Sequence, residues 1–152
     1  MFNAILIGLV CLQLSACAKN SRDEVRNLDT MEQTDSAKLK ITIGSNIYTA
    51  SLYTNPTAIA FKNRLPLTVS MADLNGNEKY SDLGNALPPA AGKPGTIHTG
   101  DLMLYGTNTL VLFYKTFSSS YTYSAIGQID DPLELSRSMG NGNVIIKYEL
   151  IK

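Results

Sequence analysis

His98 is the one histidine among 152 residues, so any charge relay or imidazole-based proton transfer in this chain must run through it. A serine nucleophile needs a sharp turn that lifts its hydroxyl clear of the backbone, and no Gly-x-Ser-x-Gly segment supplies one. A loop histidine satisfied by its neighbours is the simpler reading. The adjacent carboxylates Asp130 and Asp131 raise the question of a metal. One histidine and two cysteines, Cys11 and Cys17, both close to the N-terminus, make a poor ligand set, and Asp131 before Pro132 is already explained as a helix cap. Asn75-Gly76-Asn77-Glu78 gathers oxygen donors, but the distal glutamate of a calcium loop is missing, so it reads as a turn. No metal and no cofactor is expected. What remains is apolar and mostly aromatic: Met71, Tyr80, Tyr105, Phe113, Tyr121 and Tyr123 are candidate walls of a groove for a peptide or a small molecule. The competing reading makes most of them core residues or cross-strand pairs.

Cys17 carries a different chemistry. Met1 to Ala16 contains no charged side chain, and its apolar stretch from Ala4 to Leu14 is too short to span a bilayer, which takes about 20 residues. It reads as a removable secretion segment. Its end, Leu14-Ser15-Ala16-Cys17, resembles the lipobox of bacterial lipoproteins, with Phe2-Asn3 standing where a Lys or Arg is usual. The resemblance implies acylation of the Cys17 sulfur, cleavage before it, acylation of the new amino group, and attachment to a bilayer of the bacterial cell envelope, inner or outer. Two or more acyl chains make such anchoring stable. The alternative is an ordinary secretory peptide cut near Ala16.

With Cys11 in the leader, the exported chain has one cysteine and can form no internal disulfide, so its core must rest on apolar burial and hydrogen bonds. Lys plus Arg and Asp plus Glu each number 13, which leaves no basic surplus to track a phosphate backbone and argues against nucleic acid. The aromatic residues are 8 Tyr and 4 Phe with no Trp. Tyrosine suits half-buried strands and binding surfaces, since its ring is apolar and its tip polar.

Three segments follow: a signal peptide over residues 1–16, the acylated cysteine with a flexible tether over 17–38, and a folded domain over 39–152. The tether alternates charges from Lys19 to Lys38 and has little apolar surface to bury. The domain opens with Leu39, Ile41 and Ile43 alternating with Lys40 and Thr42, and Gly44-Ser45-Asn46 turns the chain into a second strand, Ile47 to Tyr53. Asn55 and Pro56 start a short helix that ends before Pro66. Further strands are expected at 66–74, 101–105, 109–116, 123–129 and 144–151, with residues 81–94 as a long loop and Phe117 to Tyr121 as a Ser-rich connection. The run Leu110-Val111-Leu112-Phe113-Tyr114 is that of a strand covered on both faces. A second helix is expected with Asp131 as cap, Pro132 in the first turn and Glu134 reaching back, ending at Gly140. About seven short strands and two short helices in this order predict a mainly β protein, a small closed barrel without free strand edges.

This domain resembles the cyclophilin fold, and more closely the bacterial cyclophilin-like proteins. Asn55-Pro56-Thr57-Ala58 with Phe61 looks like the first helix of that family, Gly95 to Leu102 like a strand entry, Ile126-Gly127-Gln128-Ile129 like the strand before the second helix, and Gly140-Asn141-Gly142-Asn143 like the turn after it. The resemblance implies a cyclophilin-like β-barrel and a groove on it. It also implies peptidyl-prolyl isomerisation, in which an arginine on a strand favours the twisted amide over the planar one. Here the corresponding strand, Leu67-Thr68-Val69-Ser70-Met71-Ala72-Asp73-Leu74, has no Arg, and Arg64 precedes Pro66 instead. Tyr123 takes the place of a pocket histidine, and Phe113 falls near a pocket phenylalanine. The expectation is a membrane-anchored, non-catalytic binding module for a peptide or small ligand; the alternative is a cell-envelope isomerase with an altered site.

Overall fold

The computed structural model describes residues 36–152; the leader, Cys17 and most of the tether lie outside the described residues. Eleven strands and two helices follow in chain order. They are β1 (Lys38–Ile43), β2 (Asn46–Leu52), α1 (Pro56–Lys62), β3 (Leu67–Leu74), β4 (Glu78–Asp82), β5 (Ala91–Gly92), β6 (Gly95–Ile97), β7 (Asp101–Tyr105), β8 (Thr109–Phe113), β9 (Phe117–Ser119), β10 (Tyr123–Ile129), α2 (Leu135–Met139) and β11 (Val144–Leu150). Neighbouring strands run β2-β1-β11-β3-β4-β8-β7-β10, and β10 returns to β2 through Gly127 opposite Leu52, Gln128 opposite Ser51 and Ile129 opposite Ala50. The result is a closed, antiparallel, eight-stranded barrel with two short helices.

Period-two patterning builds this wall. Leu39, Ile41 and Ile43 of β1 are buried while Lys40 and Thr42 are half-exposed. Inward residues from seven of the eight barrel strands, among them Ile41, Leu102, Leu104, Leu110, Leu112, Ile146 and Tyr148, form one continuous core. Helix α1 adds Phe61 to it. Asn55 Oδ1 accepts the Ala58 amide proton at 2.9 Å, Pro56 sits where no amide proton is needed, and the Phe61 ring meets Tyr148 edge-on at 5.8 Å.

The barrel closes where β10 and β2 come unusually near. A Cβ at Gly127 would stand 2.5 Å from the Ser51 carbonyl oxygen, so only glycine lets these backbones pair. The register of β10 against β7 shifts between Ala125 and Gly127, a bulge of the kind that bends a strand around a barrel corner.

Four expectations change. The eighth barrel strand, β4, is one that hydrophobic alternation does not reveal, because its inward residue is Lys79. That side chain is fully buried, forms an ion pair with Asp73 at 2.8 Å, and donates to the carbonyls of Gly140 at 3.2 Å and Gly142 at 2.7 Å. Tyr114 donates to the same Asp73 carboxylate at 2.6 Å, so an ionic network closes a wall that elsewhere closes with aliphatic side chains.

The stretch 81–94 begins with the end of β4 and is pinned rather than loose. Arg64 donates to the carbonyls of Asn85 and Ala86, Thr57 donates to Pro88, and Leu87 is buried in the core. Within the expected Ser-rich connection, β9 pairs with β6 as a separate two-stranded ribbon. Finally, α2 starts at Leu135 rather than at Pro132: Asp131 accepts the Leu133 amide and holds a turn before the helix, and Glu134 pairs with Arg137 instead of reaching back.

Candidate functional site

Strand parity decides what the outer face of the barrel carries. Along β4, Glu78 and Tyr80 share one face and Lys79 the other. Glu78 lies opposite Phe113 and Tyr80 opposite Val111 on β8; Val111 lies opposite Met103 and Thr109 opposite Tyr105 on β7; Tyr105 lies opposite Tyr123 on β10. This outward row forms a second apolar cluster of Ile97, Met103, Val111, Phe113 and Tyr123, with Phe117 against it. The ribbon of β6 and β9 supplies Ile97 and Phe117, so β8 is covered on both faces, as its uninterrupted apolar run requires.

The cover is incomplete, and the gap is a groove of about 570 Å³. The barrel wall contributes Glu78, Tyr80, Tyr105, Val111 and Tyr123 to its lining, the β3–β4 turn Asn75 and Asn77, and the segment after β8 Phe117 to Tyr121. The turn is fixed by Asn75 and Gly76, both at positive φ (55° and 64°), conformations that asparagine and glycine tolerate best.

Aromatic side chains form a connected series beside the groove. Tyr121 meets Tyr105 edge-on at 6.2 Å, Tyr105 meets Tyr123 at 5.6 Å, Tyr123 meets Phe113 edge-on at 5.4 Å, and Phe113 meets Phe117 at 5.7 Å. These spacings lie in the range in which rings attract each other. Each ring thereby contacts the next, which gives the groove a continuous aromatic wall.

Of the residues expected from sequence, Tyr80, Tyr105, Tyr121 and Tyr123 line this one groove. Phe113 is fully buried beneath it and supports Tyr123. Met71 faces the opposite way, into the barrel core, where the Tyr148 hydroxyl donates to its sulfur at 3.2 Å. Inward parity along β3 places Leu67, Val69 and Met71 together, so Met71 belongs to the core and not to the groove.

The residue that sequence reasoning passes over is Glu78. It is 8% exposed and makes no side-chain hydrogen bond or ion pair among the described residues. Burial, reinforced by the nearby Asp73 charge, raises its carboxyl above the ordinary 4.5. Burial also raises the Tyr123 hydroxyl, and the Glu78 charge adds to that. The signal for Glu78 was its place two residues before Tyr80, legible once 78–82 is taken as a strand.

The other chemistry-bearing side chains lie elsewhere. His98 sits on the turn between β6 and β7, its backbone amide donating to Asp101 Oδ2 at 2.8 Å, and does not line the groove. Asp130 ties Lys38 and Ser51 together at the barrel seam. Among the described residues, no three of His, Cys, Asp or Glu are grouped to hold a metal ion.

The sequence matches the model of the cyclophilin-like family over residues 41–149. The fold is also similar to the solution structure of the hypothetical protein AF2241 from Archaeoglobus fulgidus, with a TM-score of 0.57 at 19% identity, covering 76% of this chain and 95% of that one. No curated protein matches the sequence. With most of the barrel inside the matched span, from the second half of β1 to the last strand, this chain belongs to the cyclophilin-like family.

Proposed function

We propose that this protein is a lipid-anchored component of a bacterial cell envelope whose cyclophilin-like domain binds a small ligand or peptide in the tyrosine groove without isomerising prolyl bonds. The observation that carries the reading is the groove itself: a continuous aromatic wall, open to solvent, with no guanidinium among the described residues. Prolyl isomerisation, as the family resemblance implies it, uses an arginine beside the twisted amide. Arg64 is committed to the carbonyls of Asn85 and Ala86, and Arg137 is paired with Glu134 on α2; neither lines the groove. A cleft of this volume falls within the roughly 300–1,000 Å³ typical of small-molecule sites.

Two measurements test the two halves. In the native host, globomycin should block maturation of the chain and Cys17→Ser should abolish fatty-acid labelling. A processed but unlabelled wild-type product refutes the anchor. For the groove, a fragment and peptide library screened by NMR should shift the amides of residues 117–121 and the ring signals of Tyr105 and Tyr123. Hits that cluster anywhere else on the domain refute the site.

A further inference from the structure

Among the described residues, the groove has one ionisable group besides its tyrosine hydroxyls, and that group is an acid. Glu78 lines it, no Lys, Arg or His does, and the carboxylate has no hydrogen-bond or ion-pair partner among the described residues. A buried charge costs free energy unless it is paired. The chain shows how it pairs such groups elsewhere: one residue along β4, on the other face, Lys79 is matched by Asp73 at 2.8 Å. Glu78 receives no counterpart. In the same lining, Asn77 Oδ1 is a buried acceptor that receives no hydrogen bond, while Tyr80, Tyr105, Tyr121 and Tyr123 contribute rings whose negative faces attract cations.

Resting on the reading that this groove binds a ligand, we propose that its occupant is a small organic cation, an alkylammonium ion, whose charged head meets the Glu78 carboxylate while its chain lies along the tyrosine rings. An ammonium head supplies what the Glu78 carboxylate lacks, positive charge and N–H donors. An anion would be repelled by Glu78. A wholly apolar ligand would cover the carboxylate and offer no donor in return, which sets a penalty against it.

The test titrates the full-length, isotope-labelled protein with four probes of matched size or polarity: n-butylammonium, 1-butanol, butyrate and methyl glucoside. Saturable shifts of the Ser118 to Ser120 amides with n-butylammonium, weakened at least tenfold in Glu78→Gln and clearly weakened in Tyr105→Ala, are the expected result. Butyrate should leave the groove signals unmoved. If 1-butanol or methyl glucoside binds as tightly as the ammonium, or Glu78→Gln leaves ammonium binding intact, the cation assignment is overturned while the groove survives as a binding site. If none of the four probes moves the groove signals, the binding reading is overturned and this inference goes with it.

Discussion

Adjacent residues of β4 carry opposite charges into opposite surroundings, and their pH behaviour should differ accordingly. Glu78 has a raised carboxyl in the folded state, chiefly from burial. Its protonated form is therefore the stabilising one. That contribution is complete below the unfolded value near 4.5 and disappears as pH rises through the higher folded value. Glu78→Gln, a permanent mimic of the neutral acid, should melt with wild type at pH 3 and above wild type at pH 7. Equal melting temperatures at pH 7 would show that the carboxylate is not strained by its site. A residue whose removal stabilises the fold is what a binding site maintained at the expense of stability looks like.

Asp73 behaves in reverse. Its hydrogen bonds from Lys79 and then Tyr114 lower its carboxyl, so its contribution is present above 3.8 and is lost as pH falls through the depressed folded value. The pair is also asymmetric in its access to water. The Lys79 side chain is 0% exposed and that of Asp73 29%. Removing Asp73 leaves a buried ammonium with two carbonyl acceptors but no counter-charge, whereas removing Lys79 leaves a carboxylate that is partly exposed and that Tyr114 and Gly76 still serve. Asp73→Leu should therefore lower the melting temperature more than Lys79→Met. The opposite order in thermal unfolding would contradict the assignment of Lys79 as the more deeply committed partner.

At the scale of elements, the seam between β10 and β2 is the place where the barrel depends on a single residue type. An added methyl at Gly127 meets backbone, the Ser51 oxygen at 2.5 Å and the Leu52 Cα at 3.3 Å, and backbone in a ladder cannot rotate aside as a side chain can. Gly127→Ala should cost about 1–3 kcal/mol, read as a lower urea midpoint, with the amides of Gln128 and Ile129 losing protection from hydrogen exchange first. An unchanged midpoint would mean that the seam can widen freely. The same scale explains what could be read from the chain. Strands with aliphatic inward residues, such as Leu39-Ile41-Ile43, announce themselves by alternation, and the Asn55-Pro56 cap marks the start of α1, which ends at Lys62, short of Pro66. Strand β4 does not, because alternation detects hydrophobicity while Glu78-Lys79-Tyr80-Ser81-Asp82 encodes its inward face as a charge matched only across the hairpin, at Asp73. Missing β4 hid Glu78, and with it the polar half of the groove, although four of the groove's tyrosines were legible. Met71 was misplaced for a related reason: membership of a face depends on strand parity, and residue type alone does not supply it.

For the whole molecule, the decisive question is whether a cyclophilin-like barrel with this outer face accelerates prolyl isomerisation. The uncatalysed barrier is about 18–20 kcal/mol, and lowering it requires groups that bind the twisted amide better than the planar one. In the groove described here, the polar groups nearest a bound peptide would be a carboxylate, tyrosine and serine hydroxyls, and asparagine amides. The carboxylate opposes charge accumulating on a carbonyl oxygen. Lys79 is the nearest cation along the chain, yet it points into the barrel and is held there by Asp73 and two carbonyls. The purified protein should therefore leave the cis-to-trans rate of a proline tetrapeptide at its spontaneous value. Introducing an arginine by Tyr80→Arg should not create activity either, because Glu78 would pair with it. Measurable turnover by the wild-type protein, abolished by Tyr123→Ala, would show that this outer face favours the twisted amide by some means other than a guanidinium, and the non-catalytic reading of the groove would fall.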